Sequence, residues 1–271
     1  MNYDILLIDG PYLAHRSYCA PFKTTTSTGL QSHAILSFMN TFLMLQKKFQ
    51  PKRTVVAWES YGTPSWRREL YSTYKPSKGC DSSFIDQTKD IMNLLSALNI
   101  PQYNAPNNEA DDVIAHFTSK YKDIPTLIYT VDKDLMYLIS HNVNIYNGKQ
   151  ICDINYVKKK FGISPLMIPD LLALVGDKAD NIKGIPKYGY KRASKLLQEY
   201  HRLRFIPRPT FSEDEWKTLE KNIKITRLNY DCDLILYKPK KEYTIEDICN
   251  KYELKNLKEK LMHPSLDTYL S

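Results

Sequence analysis

At 271 residues, 42% hydrophobic and 25% charged, the chain has a folded globular composition, which excludes fibrous and disordered classes. Its 38 Lys and Arg against 30 Asp and Glu give a net charge of +8 and a pI near 9.0, which admits a polyanionic partner. The five cysteines (Cys19, Cys80, Cys152, Cys232, Cys249) form no C-x-x-C pair, and no signal peptide or membrane-length apolar run is present. A soluble intracellular protein with reduced thiols is expected, without a disulfide frame or a zinc site.

In chain order, residues 3–8 are a continuous apolar run ending at Asp9-Gly10, the pattern of a central parallel strand covered on both faces. Residues 32–49 carry a helical stripe (Ile35, Phe38, Met39, Phe42, Leu43, Leu45). Residues 53–58 form a second strand ending at Glu59, and residues 86–98 a second helix. Residues 113–117 read as a helix with Glu109, Asp111 and Asp112 at its start; residues 126–131 and 143–146 read as strands. Alternating strands and helices imply a three-layer α/β core with a mostly parallel sheet over residues 1–155. Past about Asn155 the pattern predicts helices only: 156–161, 165–175, 191–200, 213–228, 244–252 and 255–261, with a linker at 205–210.

Acidic residues gather where apolar runs end. Asp9 and Glu59 follow strands, Asp132 and Asp134 follow the third strong strand, and Asp177 and Asp180 close a later helix. Carboxylates in a first helical turn are ordinary, since they favour the positive end of the helix dipole, so Glu109-Ala110-Asp111-Asp112 alone needs no further role. Three clusters at element ends are harder to explain that way. Carboxylates brought together repel unless a cation neutralises them, and hard oxygen ligands suit Mg²⁺ or Mn²⁺. In an open α/β sheet this edge is where ligands bind. The pattern therefore points to a two-metal phosphodiesterase. The six histidines show no metal-ligand spacing. Tyr12, Tyr18, Tyr71 and Tyr74 are candidates to stack on an unpaired base, against core packing for any one of them.

Residues 183–208 hold eight Lys and Arg against one Glu, so most of the net charge sits there. Asn181 to Gly189 is punctuated by Gly184, Pro186 and Gly189, and a basic helix follows. A glycine turn leading into a helix N-terminus presents backbone N–H groups to phosphate.

These motifs, in this order, resemble the 5′-nuclease superfamily: flap endonucleases, phage 5′ nucleases and the 5′→3′ exonuclease domain of bacterial DNA polymerase I. The resemblance runs from Leu6-Leu7-Ile8-Asp9-Gly10 to about Tyr200. It rests on Arg67/Arg68 with Tyr74-Lys75 (an arch signature), on Glu109-Ala110-Asp111-Asp112 and Asp132-Lys133-Asp134, and on residues 176–193 as a helix–three-turn–helix module. It implies a PIN-like core with an arch over about 60–86, short and mostly loop, and a helical region over 156–271 whose helix–hairpin–helix module spans 165–200. It implies two Mg²⁺ ions, replaceable by Mn²⁺, held by Asp9, Glu59, Glu109, Asp111, Asp112, Asp132, Asp134, Asp177 and Asp180. One ion would lie nearer Asp9, Glu59, Glu109 and Asp132 and the other nearer Asp134, Asp177 and Asp180, with Asp111 between and Asp112 behind. Lys75 and one of Arg67 or Arg68 would contact the scissile phosphate. Lys183, Gly184, Pro186, Lys187, Gly189, Lys191 and Arg192 would bind duplex, with K⁺ at the turn.

The implied activity is a free-standing, structure-selective 5′ nuclease on DNA with a 5′ flap, nick, gap or free 5′ end, and on RNA-primer ends in RNA/DNA hybrid. A monomer in the cytoplasm of a bacterium or phage-infected host, working beside a replicative polymerase or single-strand-binding protein, completes the expectation. The alternatives are a DNA-structure-binding protein of the same fold with weak or no cleavage, and a ribonuclease sharing only the acidic pocket. Two departures stand out: Glu59 replaces the family's usual Asp, and Lys187 a hairpin Gly.

Overall fold

The computed structural model describes residues 2–60, 62–76, 79 and 81–263. In chain order the elements are β1 (Ile5–Asp9), α1 (Gly10–Tyr18), α2 (His33–Phe49), β2 (Arg53–Ala57), α3 (Trp66–Leu70), α4 (Ser82–Ala97), β3 (Gln102–Asn104), α5 (Ala110–Lys120), β4 (Thr126–Tyr129), β5 (Val143–Tyr146) and β6 (Ile151–Cys152). The second half adds α6 (Ile154–Phe161), α7 (Ile168–Val175), β7 (Gly176–Asp177), β8 (Ile182–Lys183), α8 (Tyr190–Tyr200), α9 (Glu213–Thr226), β9 (Ile235–Leu236), α10 (Ile245–Lys251) and α11 (Lys255–Leu261).

The main sheet has the order β6-β5-β4-β1-β2-β3-β9, parallel through β5, β4, β1, β2 and β3, with antiparallel edges. Strand β1 is buried along its whole length, as a central strand covered on both faces must be. Its alternate residues feed two cores. Leu6 and Ile8, with Val56, Trp58, Leu127 and Tyr129, meet residues of α1, α2, α4, α10 and α11. Ile5 and Leu7, with Val55, Ala57 and Ile128, meet residues of α5 to α9. The chain leaves β1 for β2 and β3 on one side and later returns to β4 and β5 on the other. The carboxyl ends of β1 and β4 therefore flank the point where strand order reverses, and the connections there diverge to open a crevice.

Several elements differ from the sequence reading. Helix α1 was not anticipated, because Gly10-Pro11 reads as a turn; instead Asp9 caps the helix and Pro11 occupies its first turn, where a missing N–H costs nothing. Gly10 is required by packing, since a Cβ there would lie 2.7 Å from both the Ala57 carbonyl and the Trp58 ring. Helix α4 begins at Ser82 under an Asp81 cap, four residues earlier than expected. The arch segment is only partly covered: Tyr61, Ser77, Lys78 and Cys80 lie outside the described residues.

The expectation of helices only beyond Asn155 is corrected by β7, β8 and β9. Two-residue strands are too short to show alternation, and both residues of β9 are exposed. Nor is 205–210 a free linker: it takes in the end of one 3₁₀ turn (Leu203–Phe205) and all of a second (Arg208–Thr210), Ile206 and the following Phe211 enter the core, and Trp216 Nε1 donates to the Arg208 carbonyl at 2.8 Å. Through β9 and the last two helices, the C-terminal region also completes the sheet edge and the opposite face.

The turn between α7 and α8 depends on close backbone approach. A Cβ on Gly184 would lie 2.1 Å from the Val175 carbonyl oxygen, and one on Gly176 (φ +77°) 2.3 Å from Gly184 N. Lys187, by contrast, holds a left-handed φ of 68°, where a side chain is strained. Opposite responses are expected within this one turn. Gly184→Ala should lose about 2–3 kcal/mol, the scale of overpacking, while Lys187→Gly should gain about 0.5–1 kcal/mol by relieving the left-handed penalty. Urea unfolding of both variants measures this, and losses of equal size would contradict the geometry described.

Candidate active site

The crevice at the carboxyl ends of β1 and β4 is where the acidic residues meet. Asp9, at the end of β1, accepts the Tyr12 N–H (3.0 Å) on one oxygen and the Thr130 hydroxyl (2.8 Å) on the other. Asp132 follows β4; its backbone N–H donates to Thr130 Oγ1 (3.0 Å), and its Oδ1 accepts the Asp134 N–H (2.9 Å). Glu109 caps α5, and Asp111 stands in that helix's first turn. With Glu59, Tyr12 and Lys75 these residues line a pocket of about 160 Å³. Beside it, carboxylate oxygens of Asp134, Asp177 and Asp180 lie within 4.8 Å of one another. The hairpin β7–β8 carries Asp177 and Asp180 into this position.

Two expected site residues are placed elsewhere. Asp112 is fully buried and accepts both terminal nitrogens of Arg67 (2.7 and 2.8 Å), Trp66 Nε1 (3.2 Å), its own helix's cap at Glu109 N (3.2 Å) and Asn229 N (2.8 Å). Its lone pairs are filled, so it is corrected from a metal contact to the anchor of the α5 N-terminus. Arg67 is equally committed, with Nε on the Ile225 carbonyl (2.9 Å) and a terminal nitrogen on the Arg227 carbonyl (3.0 Å) as well. Four of its five N–H donors are spent inside the protein and the side chain is buried, so it is not placed to meet a phosphate. Of the pair Arg67 and Arg68, only the half-buried Arg68 stays a candidate, with one terminal nitrogen on the Lys75 carbonyl.

Lys75 Nζ lies 2.6 Å from Glu109 Oε2. Burial opposes its charge, but Glu109 and then Tyr74, Asp111 and Asp180 hold its pKa well above the ordinary lysine value. Tyr74 is 4% exposed, its ring packed on Ile182 and Ile225 and its hydroxyl donating to Glu109 (3.2 Å) and Asp180 (3.4 Å). That corrects its reading as a base-stacking residue. Tyr71 carries Lys221 3.5 Å from its ring centroid, and Tyr18 donates to Asp81 at 2.5 Å.

Burial pushes the Asp9 carboxyl up to about 6, against the bonds from Tyr12 and Thr130, with Asp132 and Glu59 adding to the rise. Burial and then Asp132 raise both Asp111 and Asp134 well above the carboxylate range. Asp180 and Glu59 are raised by burial too, with Lys75 opposing in each. Burial would also raise Glu109, but Lys75 and Arg67 hold it below the usual value. The buried Glu109 Oε1 and Asp134 Oδ1 accept no hydrogen bond. An all-carboxylate donor set with unspent oxygens fits hard divalent cations.

Sequence reading missed several residues. Lys133 sits between two acidic residues and pairs with Asp177 at 2.5 Å. Arg16 donates to the Tyr129 hydroxyl and, with Tyr12, His15, Lys75, Pro76, Asp132, Ala179 and Asp180, lines a 560 Å³ cavity beside the acidic pocket. Only a helix at 10–18 brings Arg16 to this edge, and that helix was not read. Elsewhere, Lys183, Lys187, Lys191 and Arg192 are all exposed. Gly189 caps α8 at an ordinary φ of −85°, with nothing within 4 Å of where a Cβ would stand. The fold alone therefore does not demand glycine there, whereas close approach of a phosphate to the helix N-terminus would.

Two measurements test this electrostatic description. An aspartate whose folded pKa is raised binds its proton more tightly folded than unfolded, so its contribution to stability falls as pH rises from about 4 through about 6. In EDTA the melting temperature should therefore carry a downward contribution as pH rises from about 4 through about 6, and Mg²⁺ should restore it above that range. A flat profile would contradict the crowding. Second, Asp112→Asn should cost about 3–5 kcal/mol by stranding the buried Arg67, whereas Asp134→Asn should hold or raise the EDTA melting temperature.

Comparison with known proteins agrees with this geometry. A family model described as the 5′-3′ exonuclease N-terminal resolvase-like domain matches residues 4–162, and one described as the 5′-3′ exonuclease C-terminal SAM fold matches residues 163–260. A 5′-3′ exonuclease of Aquifex aeolicus is 33% identical over 98% of this chain and 93% of its own length. DNA polymerase I of Pseudomonas aeruginosa is 35% identical over 71% of this chain and 22% of its own. The fold is shared with the bacteriophage T5 flap endonuclease solved with DNA and metal ions (TM-score 0.70, 16% identity, 98% and 99% of the chains) and with flap endonuclease-1 of Methanococcus jannaschii (TM-score 0.66, 15% identity, 99% and 92%). Among the described residues no helix is long and apolar enough to cross a membrane. With a PIN-like sheet, an acidic crevice at its carboxyl edge and both halves matched, the chain belongs to the 5′-3′ exonuclease family and is a 5′ nuclease.

Proposed function

We propose that the protein cleaves phosphodiesters of DNA at 5′ flaps, nicks, gaps and free 5′ ends, and of RNA-primer ends in hybrid, with two Mg²⁺ ions that Mn²⁺ can replace. The observation that carries this reading is the grouping of the carboxylates into two adjoining sets beside a charged lysine. Asp9, Glu59, Glu109, Asp111 and Asp132 would hold one cation, and Asp134, Asp177 and Asp180 the other. Bound there, such a pair supplies Lewis acidity and lowers the pKa of the attacking water.

The chain's own groups do the rest. Lys75 offers its ammonium to the reacting phosphate, and Arg68 supports it through the Lys75 carbonyl. The cavity lined by Tyr12, Arg16 and Pro76 is large enough to take an unpaired nucleotide beside that phosphate. Residues 184–189 offer backbone N–H groups to a duplex phosphate, with Lys183, Lys187, Lys191 and Arg192 around them and K⁺ at the turn. Contacts of this kind position duplex without reading its sequence. Cytoplasmic location, a monomeric state and work beside a replicative polymerase or single-strand-binding protein belong to the same proposal, which rests there on kinship with the bacterial exonucleases.

Incubating the protein and Mg²⁺ with a 5′-flap duplex, a blunt duplex and single-stranded RNA tests the substrate class. Flap cleavage should dominate and vanish in EDTA; equal cleavage of the RNA alone would overturn the reading. Lys75→Ala should lower the single-turnover rate by about 10²-fold, the scale of losing one electrostatic stabiliser, and leave duplex affinity nearly unchanged. If affinity falls and the rate does not, Lys75 is only a backbone contact.

A further inference from the structure

The hairpin β7–β8 joins three parts of the site, and its turn is fastened to the segment that carries Lys75. Asp177 and Asp180 lie on the hairpin, and Gly184, at its far end, opens the duplex-binding turn. From the turn, Asn181 Nδ2 donates to the Thr73 carbonyl at 3.0 Å. In return, the Lys75 backbone N–H donates to the Asp180 carbonyl at 3.2 Å. Between those bonds the Tyr74 ring packs on Ile182 of the hairpin, and its hydroxyl reaches the Asp180 carboxylate.

Both partners of this junction hold unusual backbone. Asn181 has φ 58° and Lys75 φ 42°, and neither is glycine. Left-handed conformations in residues with side chains persist only where surrounding contacts impose them. Asparagine tolerates this region better than most residues and can still donate a side-chain hydrogen bond. The Asn181 bond falls two residues before Lys75, on a stretch with no regular secondary structure of its own. Without it, that stretch keeps the Lys75 N–H bond and the Tyr74 packing but loses the contact that fixes its approach.

We propose that Asn181 is a positioning residue: its amide holds the Thr73 carbonyl and so aims Lys75 into the acidic pocket, tying the lysine to the hairpin that also carries the duplex-binding turn. The proposal rests on the nuclease reading above for the role of Lys75. Asn181 touches neither substrate nor cation in this account and acts through Lys75 alone.

The test is a double-mutant cycle on a 5′-flap duplex with Mg²⁺, with duplex affinity and melting temperature measured alongside. Asn181→Gly keeps the left-handed backbone and removes the amide; Asn181→Asp keeps the shape but sets an oxygen against the Thr73 carbonyl. Each should lower the saturating single-turnover rate about tenfold, the scale of one positioning hydrogen bond, and leave duplex affinity within about twofold. In the Lys75→Ala background neither should lower the rate further, because the lysine it aims is gone. Additive losses in that background, unchanged rates in the single variants, or a loss carried by affinity would overturn the proposal. So would failure of both variants to fold, which would make Asn181 a residue of general stability. If the unsubstituted protein leaves the flap uncut, the nuclease reading itself falls; cleavage with no Asn181 effect removes only this inference.

Discussion

Eight carboxylates converge where β1 and β4 end, and the surrounding scaffold has to hold them there against their mutual repulsion. Nearly every local feature of the crevice bears on that strain. Asp9 is fixed by a helix N-terminus and a threonine hydroxyl. Glu109 is flanked by Lys75 and, at 3.7 Å, Arg67. Asp177 is met by Lys133. At Asp111 and Asp134, burial and the Asp132 charge outweigh the opposing Lys75 and Lys133 and raise the proton affinity. A site so arranged is destabilising alone and would be relieved by divalent cations, a pattern expected where function is bought with local instability.

The buried pair of Arg67 and Asp112 lets the rest of the molecule resist the repulsion. It joins α3, the start of α5 and the chain following α9 in one hydrogen-bonded knot. Removed from water, each charge depends on the other, so the joint tolerates little movement. Glu109 and Asp111 lie one to three residues from Asp112 on the same helical turn, and they inherit that rigidity. The end of α9 and the chain following it thereby contribute to the site without placing a ligand in it.

Much of the central sheet could be read from the chain, because β1, β2 and β4 are apolar runs long enough to declare themselves, and the acidic residues stand directly after them. The catalytic edge follows from those positions alone. What could not be read depends on contacts distant in sequence. Arg67 and Asp112 lie 45 residues apart, so nothing local distinguishes Arg67 from Arg68 or Asp112 from Asp111. Helix α1 was hidden by a Gly-Pro pair, and with it the place of Arg16. Strand β9 exists only because Tyr103 and Asn104 offer it an edge. Tyr74 resembles any of the chain's tyrosines until Ile182 and Ile225 enclose it.

The central claim is that the crevice holds two divalent cations in distinct carboxylate sets. Anomalous diffraction from crystals of the protein with Mn²⁺ tests it most directly. Two peaks about 3.5–4 Å apart, one among Asp9, Glu109, Asp111 and Asp132 and one among Asp134, Asp177 and Asp180, are the predicted result. A single peak at saturating Mn²⁺, or peaks away from these carboxylates, would contradict the account.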